Sequence, residues 1–318
     1  MKCGFATFPD SQRGTGAAKQ RPWGAPAVNS FVMNLLQSVL AQLPGFGVEV
    51  LRLCIWLALL AAIFVPLERF FALRPQRVWR REIGVDLGHY FINSLLPALL
   101  LGAPMALLAV AAQHIVPAAL PATLGALPLA ARLLLAFVVG EVGFYWGHRL
   151  SHQLPWLWRF HAVHHSAGQM DFLVNTRAHP VDMVVTRLFG LVPLYALGLA
   201  GPTGAGTATP MLVILIGTVW GFFIHANVRW RLGPLEWLIA TPAFHHWHHS
   251  RVEHTNRNYA ALLPLLDRLF GTLHLPAQWP SDYGIEAVLP ATLGGQLIEP
   301  LRAAKPQPPV AAGGWRQT

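Results

Sequence analysis

The chain is short of charge, of cysteine and of carboxylates, and each shortage removes a class of protein. Only 12% of its 318 residues are charged, where a soluble domain carries roughly 25%. Hydrophobic residues make up 54% and the mean hydropathy is positive, so a bilayer is the expected solvent. The two cysteines, Cys3 and Cys54, sit in a polar tail and inside an apolar run. They offer no disulfide framework and no CxxC site. Also missing are a GxGxxG after a strand, a CxxCH haem attachment and an HExxH metalloprotease signature. Any metal must therefore be held by nitrogen and oxygen, and any electrons must come from a separate protein. Asp and Glu total 14 against 23 Lys and Arg, a net charge of +9. A nucleic-acid surface needs its cations clustered on a soluble face; here the arginines punctuate apolar runs, and no nucleic-acid partner is expected.

What the chain has in abundance is histidine. Eleven of its 15 histidines lie between His148 and His249, nine of them in three phrases: HRLSH (His148, His152), HAVHH (His161, His164, His165) and HHWHHS (His245, His246, His248, His249). Residues three or four apart share a helix face, so HRLSH forms a pincer and each HxxHH offers three imidazoles on one side. His246 stands one residue past His245, roughly 100° round the helix, and is not expected to be a ligand. The remaining eight exceed the four that satisfy one tetrahedral zinc, which points to two metal ions. Nitrogen-rich sites suit Fe, Zn, Cu or Ni, so the spacing leaves the metal open. His89, His114 and His274 stand alone and read as ordinary polar residues.

Apolar runs near residues 47–66, 89–111, 129–147, 184–200 and 211–224 approach the ~20 residues that span a hydrocarbon core. The expected fold is an all-α integral membrane protein with four to five membrane-embedded helices and a helical cap holding a histidine-rich dimetal site. Its expected divisions are a polar N-terminal tail with a possible amphipathic helix (1–45), a catalytic domain (46–285) and a loose C-terminal tail (286–318). Connections near 112–129 and 201–210 lack Lys and Arg, whereas Arg149, Arg159 and Arg177 surround the first phrases. Positive-inside bias then puts the histidines on the cytoplasmic side, with the cell's inner (plasma) membrane as the expected location. Lys2, Arg13, Lys19 and Arg21 oppose this orientation unless a helical hairpin begins near Phe31.

A metal-bound imidazole needs its other nitrogen fixed by a hydrogen bond; Asp171, Asp182, Glu236, Asp267 and Glu141 are candidates for that task. Glu141 stands out, because an ionisable group inside an apolar run is costly and so presumptively functional. Trp156, Trp158, Phe160 and Trp247 interleave with the phrases as a candidate apolar wall, and Arg149, Arg159, Arg251 and Arg257 as a candidate basic docking rim.

The set HxxxH, HxxHH, HxxHH resembles that of the fatty acid hydroxylase/sterol desaturase superfamily of membrane di-iron oxygenases. The likeness runs through HRLSHQLPWLWRFHAVHHS, RAHPVD, FFIHANVRWRLGPLEWL, TPAFHHWHHS and NYAALLPLLDRLFGTLHLP, roughly residues 80–280. It implies two Fe ions, for which Zn can substitute in preparations, and O2 as oxidant. It also implies a lipid substrate that is hydroxylated or desaturated, with electrons from a reductase, ferredoxin or cytochrome. His179 in RAHP and His225 in FFIHANV match positions where relatives carry further ligands. Arg229 stands four after His225, where some relatives have another histidine. The implied ligand set is thus His148, His152, His161, His164, His165, His179, His225, His245, His248 and His249. The alternatives are a membrane zinc-dependent hydrolase and a non-catalytic metal-binding membrane protein.

Overall fold

The computed structural model describes residues 44–200, 205–251 and 256–302. Among them the chain is helical, with isolated bridges (Ala72 with Val228, Ser250 with Tyr283) and no named strand. Two compact units are distinguished, Met1–Arg52 and Leu53–Thr318, and all three histidine phrases belong to the second. The polar N-terminal tail, the hairpin near Phe31 and the chain after Arg302 lie outside the described residues.

Three helices are long and apolar enough to cross a bilayer: α1 (Gly45–Phe70), α2 (Ile83–Ile115) and α4 (Leu129–Gln153). The short α3 (Ala119–Gly125) lies between the last two. The fourth expected run forms α6 (Pro180–Ala196), which has 17 residues and carries Asp182 and Arg187. The fifth forms α7 (Ala205–His225), whose described apolar stretch is Leu215–His225. Three spans by length and composition, among the described residues, thus stand against the four to five expected.

Proline sets the corners that bring the phrases together. Leu154 is extended (φ −94°, ψ 116°) because the residue before a proline is pushed out of the helical region, and Pro155 then opens α5 (Pro155–His165). HRLSH at the end of α4 and HAVHH on α5 are therefore separated by one sharp bend. Pro242 likewise opens α8 (Pro242–His248), where the Thr241 side chain accepts from the Phe244 N–H and caps the helix. α9 (Pro264–Leu269) starts the same way.

α4 and α6 pack closely because glycine lines the seam. A Cβ at Gly143 would collide with the Phe189 carbonyl, and one at Gly147 would come within 2.7 Å of the Phe189 Cβ. Small residues at such crossings let backbones approach. At the end of the bundle, Phe64 stacks on Phe172 with centroids 5.3 Å apart, beside Phe222 and Tyr90. A buried ionic network lies nearby. Arg80 bonds Asp86 and Asp171 (2.6 Å), and Arg177 bonds Asp86 (2.5 Å) and Glu82 (2.8 Å).

The expected loose C-terminal tail is corrected in part. Residues Leu293–Ile298 form α10, capped by Thr292 and docked by the bond between His89 Nε2 and Gln296 Oε1 at 3.0 Å. Gln296 is buried, so this stretch packs as part of the unit.

Candidate metal centre

Nine histidines converge in two groups whose ring nitrogens lie within 4.8 Å of one another in each. The first comprises His148, His152, His161, His165 and His248; the second His164, His225, His245 and His249. The groups abut, with the rings of His165 and His249 stacked at 4.4 Å. The HxxHH phrases are split rather than kept on one face as expected. His161 and His165 serve the first group while His164 turns to the second, and His245 and His249 serve the second while His248 turns to the first. Three residues rotate a helix by about 300° and four by about 400°, so the two partners of each leading histidine flank it on opposite sides. One short helix therefore reaches both groups.

Five of the nine outer nitrogens are held by acceptors, while Nδ1 of His245 and His249 is buried without a hydrogen-bond partner. Nδ1 of His148 meets the Tyr259 carbonyl at 2.7 Å, that of His248 the Arg257 carbonyl at 2.8 Å, and that of His164 the Arg177 carbonyl at 2.9 Å. His225 Nδ1 meets the Gly221 carbonyl at 2.7 Å, and His161 Nδ1 the Asp182 carboxylate at 3.0 Å. A carbonyl can only accept, so each Nδ1 carries the proton and each Nε2 turns a lone pair inward. Nε2 of His148, His152 and His248 is buried without any hydrogen-bond partner. Nε2 of His164 and His225 face each other at 3.2 Å, lone pair to lone pair. Buried polar atoms are nearly always satisfied, and this arrangement fits a cation in each group.

Electrostatics agree. Burial, then the neighbouring His161, pushes His164 down to about 4. His165, His245, His248 and His249 are all lowered well below the usual imidazole value, by burial first and by neighbouring histidines next. Neutral imidazole is the ligating form.

His179 stands apart from both groups. Its Nε2 donates to the Leu297 carbonyl at 3.0 Å and its Nδ1 caps α6 by accepting from the Val181 N–H at 3.1 Å, so both ring nitrogens are engaged. The expectation of a ligand there is corrected, because no lone pair is left to give. His246 is also outside, donating from Nε2 to the Ala226 carbonyl (3.1 Å) and accepting at Nδ1 from Tyr283 (2.8 Å).

Of the five candidate carboxylates, Asp182 bonds a clustered imidazole. Glu141 accepts from the N–H groups of Leu262 (2.9 Å) and Leu263 (3.2 Å), and Asp267 from those of Tyr259 (2.7 Å) and Ala260 (2.8 Å). Together they pin the loop whose Tyr259 carbonyl orients His148. Asp171 joins the Arg80 network, and Glu236 accepts from the Leu232 N–H and pairs with Arg231. Among the aromatics, Trp158 covers the centre, 5.1 Å from the His152 ring and 5.6 Å from that of His165. Phe160 packs on His179, Trp247 on His274, and Trp156 is exposed. In the basic rim, Arg149 bonds the Tyr145 hydroxyl, Arg159 the Arg302 carbonyl and Arg257 the Gly271 carbonyl. Arg251 is exposed. The carbonyls of Tyr259, Arg257, Arg177 and Gly221 gave no sequence signal, since every residue has one.

A cavity of about 250 Å³ opens from the histidines between α4, α6 and α7. His148, His161, His164, His225 and His245 form its inner end, and Phe144, Leu191 and Leu194 contribute apolar wall.

The sequence model described as fatty acid hydroxylase matches residues 133–272, an interval holding all nine clustered histidines. An ornithine lipid hydroxylase from Rhizobium tropici is 38% identical over 54% of this chain and 51% of its own length. An alkylglycerol monooxygenase from Danio rerio is 35% identical over 43% of this chain and 29% of its own. Methylsterol monooxygenase 2-2 from Arabidopsis thaliana is 28% identical over 45% and 53%. The chain thus spans about half or less of the length of these curated relatives. No solved structure matches it.

Proposed function

We propose that the protein, whose residues 133–272 match the sequence model described as fatty acid hydroxylase, is a membrane-bound di-iron oxygenase that hydroxylates or desaturates a lipid with O2. The observation carrying this reading is the pair of histidine groups, five and four, with inward lone pairs at the end of an apolar cavity. His148, His152, His161, His165 and His248 would hold one iron, and His164, His225, His245 and His249 the other. When bound, the irons supply the O2-dependent oxidation of an unactivated C–H bond.

The chain's own residues supply the setting. Asp182 and the carbonyls of Tyr259, Arg177, Gly221 and Arg257 fix the tautomers of His161, His148, His164, His225 and His248, so those lone pairs need no reorientation on metal binding. Trp158 shields His152 and His165 from water, and the cavity wall admits a lipid chain. Electrons come from a separate reductase, ferredoxin or cytochrome, for which exposed Arg251 offers part of a basic contact. The reading includes a plasma-membrane location with the histidines facing the cytoplasm. It needs no carboxylate base: Asp182 is bonded to His161, and Glu141 Oε2 receives two N–H groups.

The test is metal analysis and lipid mass spectrometry on cells making the intact chain or the His164→Ala plus His248→Ala variant. Two irons per chain and an oxidised lipid that requires O2 and the intact histidines are expected. Stoichiometric zinc with anaerobic lipid hydrolysis would defeat the proposal.

A further inference from the structure

We infer that the lipid taken into this cavity carries an anionic group, a carboxylate or phosphate, held by Arg187; the inference rests on the cavity being the substrate site. On α6, Met183, Thr186, Arg187, Gly190, Leu191 and Leu194 line the cavity at helical spacing. The two carboxylates of the cavity lining are hydrogen-bonded. Asp182 bonds His161, and Glu141 accepts from Leu262 and Leu263. The Thr186 hydroxyl donates to the Asp182 carbonyl at 2.9 Å. Arg187 alone among these has no partner: no described carboxylate, carbonyl or ring contacts its guanidinium, and no charged neighbour acts on it.

A guanidinium on an apolar wall is costly unless an opposite charge meets it. Its planar fork matches carboxylate and phosphate oxygens in bidentate pairs. An anionic lipid would supply the missing partner, and a neutral one would leave the charge uncompensated. The position also bears on where oxidation occurs. Arg187 is five residues after Asp182, a helical rise of roughly 7.5 Å, and Asp182 touches His161 at the metal end. Leu191 and Leu194 continue the wall beyond it. The oxidised carbon is therefore close to the anionic group rather than at a distant chain end.

The test measures binding to the metal-loaded full chain in neutral detergent, without turnover. The probes are N-palmitoylglycine, dipalmitoyl phosphatidic acid and the neutral monopalmitoylglycerol. Wild type is expected to bind at least one anionic probe about tenfold or more tighter than the neutral one, a readable difference in affinity. Preference for N-palmitoylglycine alone assigns a carboxylate, and preference for phosphatidic acid alone a phosphate. Arg187→Gln is expected to abolish the preference with metal content unchanged, and Arg187→Lys to keep part of it. Equal wild-type affinity for charged and neutral probes would overturn the inference and identify Arg187 as a snorkelling side chain; this arm needs no variant. Survival of the preference in Arg187→Gln would overturn it as well. Because no turnover is required, selective binding would leave the anion site standing even where the lipid analysis above defeated the oxygenase reading.

Discussion

His164 is tied to Arg177 by a 2.9 Å hydrogen bond from the imidazole Nδ1 to the main-chain carbonyl. The Arg177 side chain is itself fixed, with Nε 2.5 Å from the Asp86 carboxylate and the guanidinium within 2.8 Å of Glu82. A clustered imidazole thus takes its orientation from an ionic network in which Asp86 of α2, and Glu82 just before that helix, hold Arg177.

Asp86→Ala removes the carboxylate shared by Arg80 and Arg177 and leaves two arginines without it. Breaking a buried pair from one side costs about 3–5 kcal/mol. A fall in thermal midpoint is expected, together with metal loss from the group of His164, His225, His245 and His249. Calorimetry and metal analysis check both, and an unchanged metal content in folded variant would disconnect the network from the site.

Asp182→Asn keeps the shape beside His161 but replaces the carboxylate with an amide. Loss of such an orienting partner lowers metal affinity or activity by about 10–100-fold. Competition against a chelator should show the loss in the five-histidine group, with the thermal midpoint of metal-free protein little altered. Equal retention of both ions would show that the 3.0 Å contact does not tune His161.

His179 and His225 separate by experiment as they do by geometry. His179→Ala removes a cap worth about 1 kcal/mol and should lower stability with two metals retained. His225→Ala removes one of four nitrogens in its group and should lower metal content. Loss of metal in His179→Ala at full folding would contradict the assignment of both its nitrogens to the cap and to Leu297.

How far the site was legible depends on what kind of contact made it. His148 with His152, and His161 with His165, follow from helical periodicity, which sequence displays directly. The division of each HxxHH between two groups depends on the 300° and 400° rotations meeting partners from other helices, and those crossings are tertiary. His179 and His225 look alike in sequence, each a lone histidine beside an apolar helix. What distinguishes them is that the Leu297 carbonyl, 118 residues away in the chain, reaches His179. The membrane character of α1, α2 and α4 followed from apolar length, whereas α6 is shorter because Pro180 fixes its start. α10 was hidden because its anchoring depends on Gln296 meeting His89.

Glu141 offers a last, sharper test, because the sequence suggested a functional carboxylate and the structure shows one engaged with main chain. Its Oε2 receives N–H groups from Leu262 and Leu263 at 2.9 and 3.2 Å. Glu141→Gln keeps an acceptor oxygen of the same reach, so folding, metal content and lipid oxidation are all expected to remain close to wild type. Glu141→Leu leaves both N–H groups buried and unpaired, each costing about 1–3 kcal/mol, and frees the loop that begins at Tyr259. His148 then loses its fixed carbonyl, so metal content is expected to fall along with the thermal midpoint. A Glu141→Gln protein with full stability and two metals but no lipid oxidation would overturn the positioning role, because only a carboxylate taking part in the chemistry would be missed in that way.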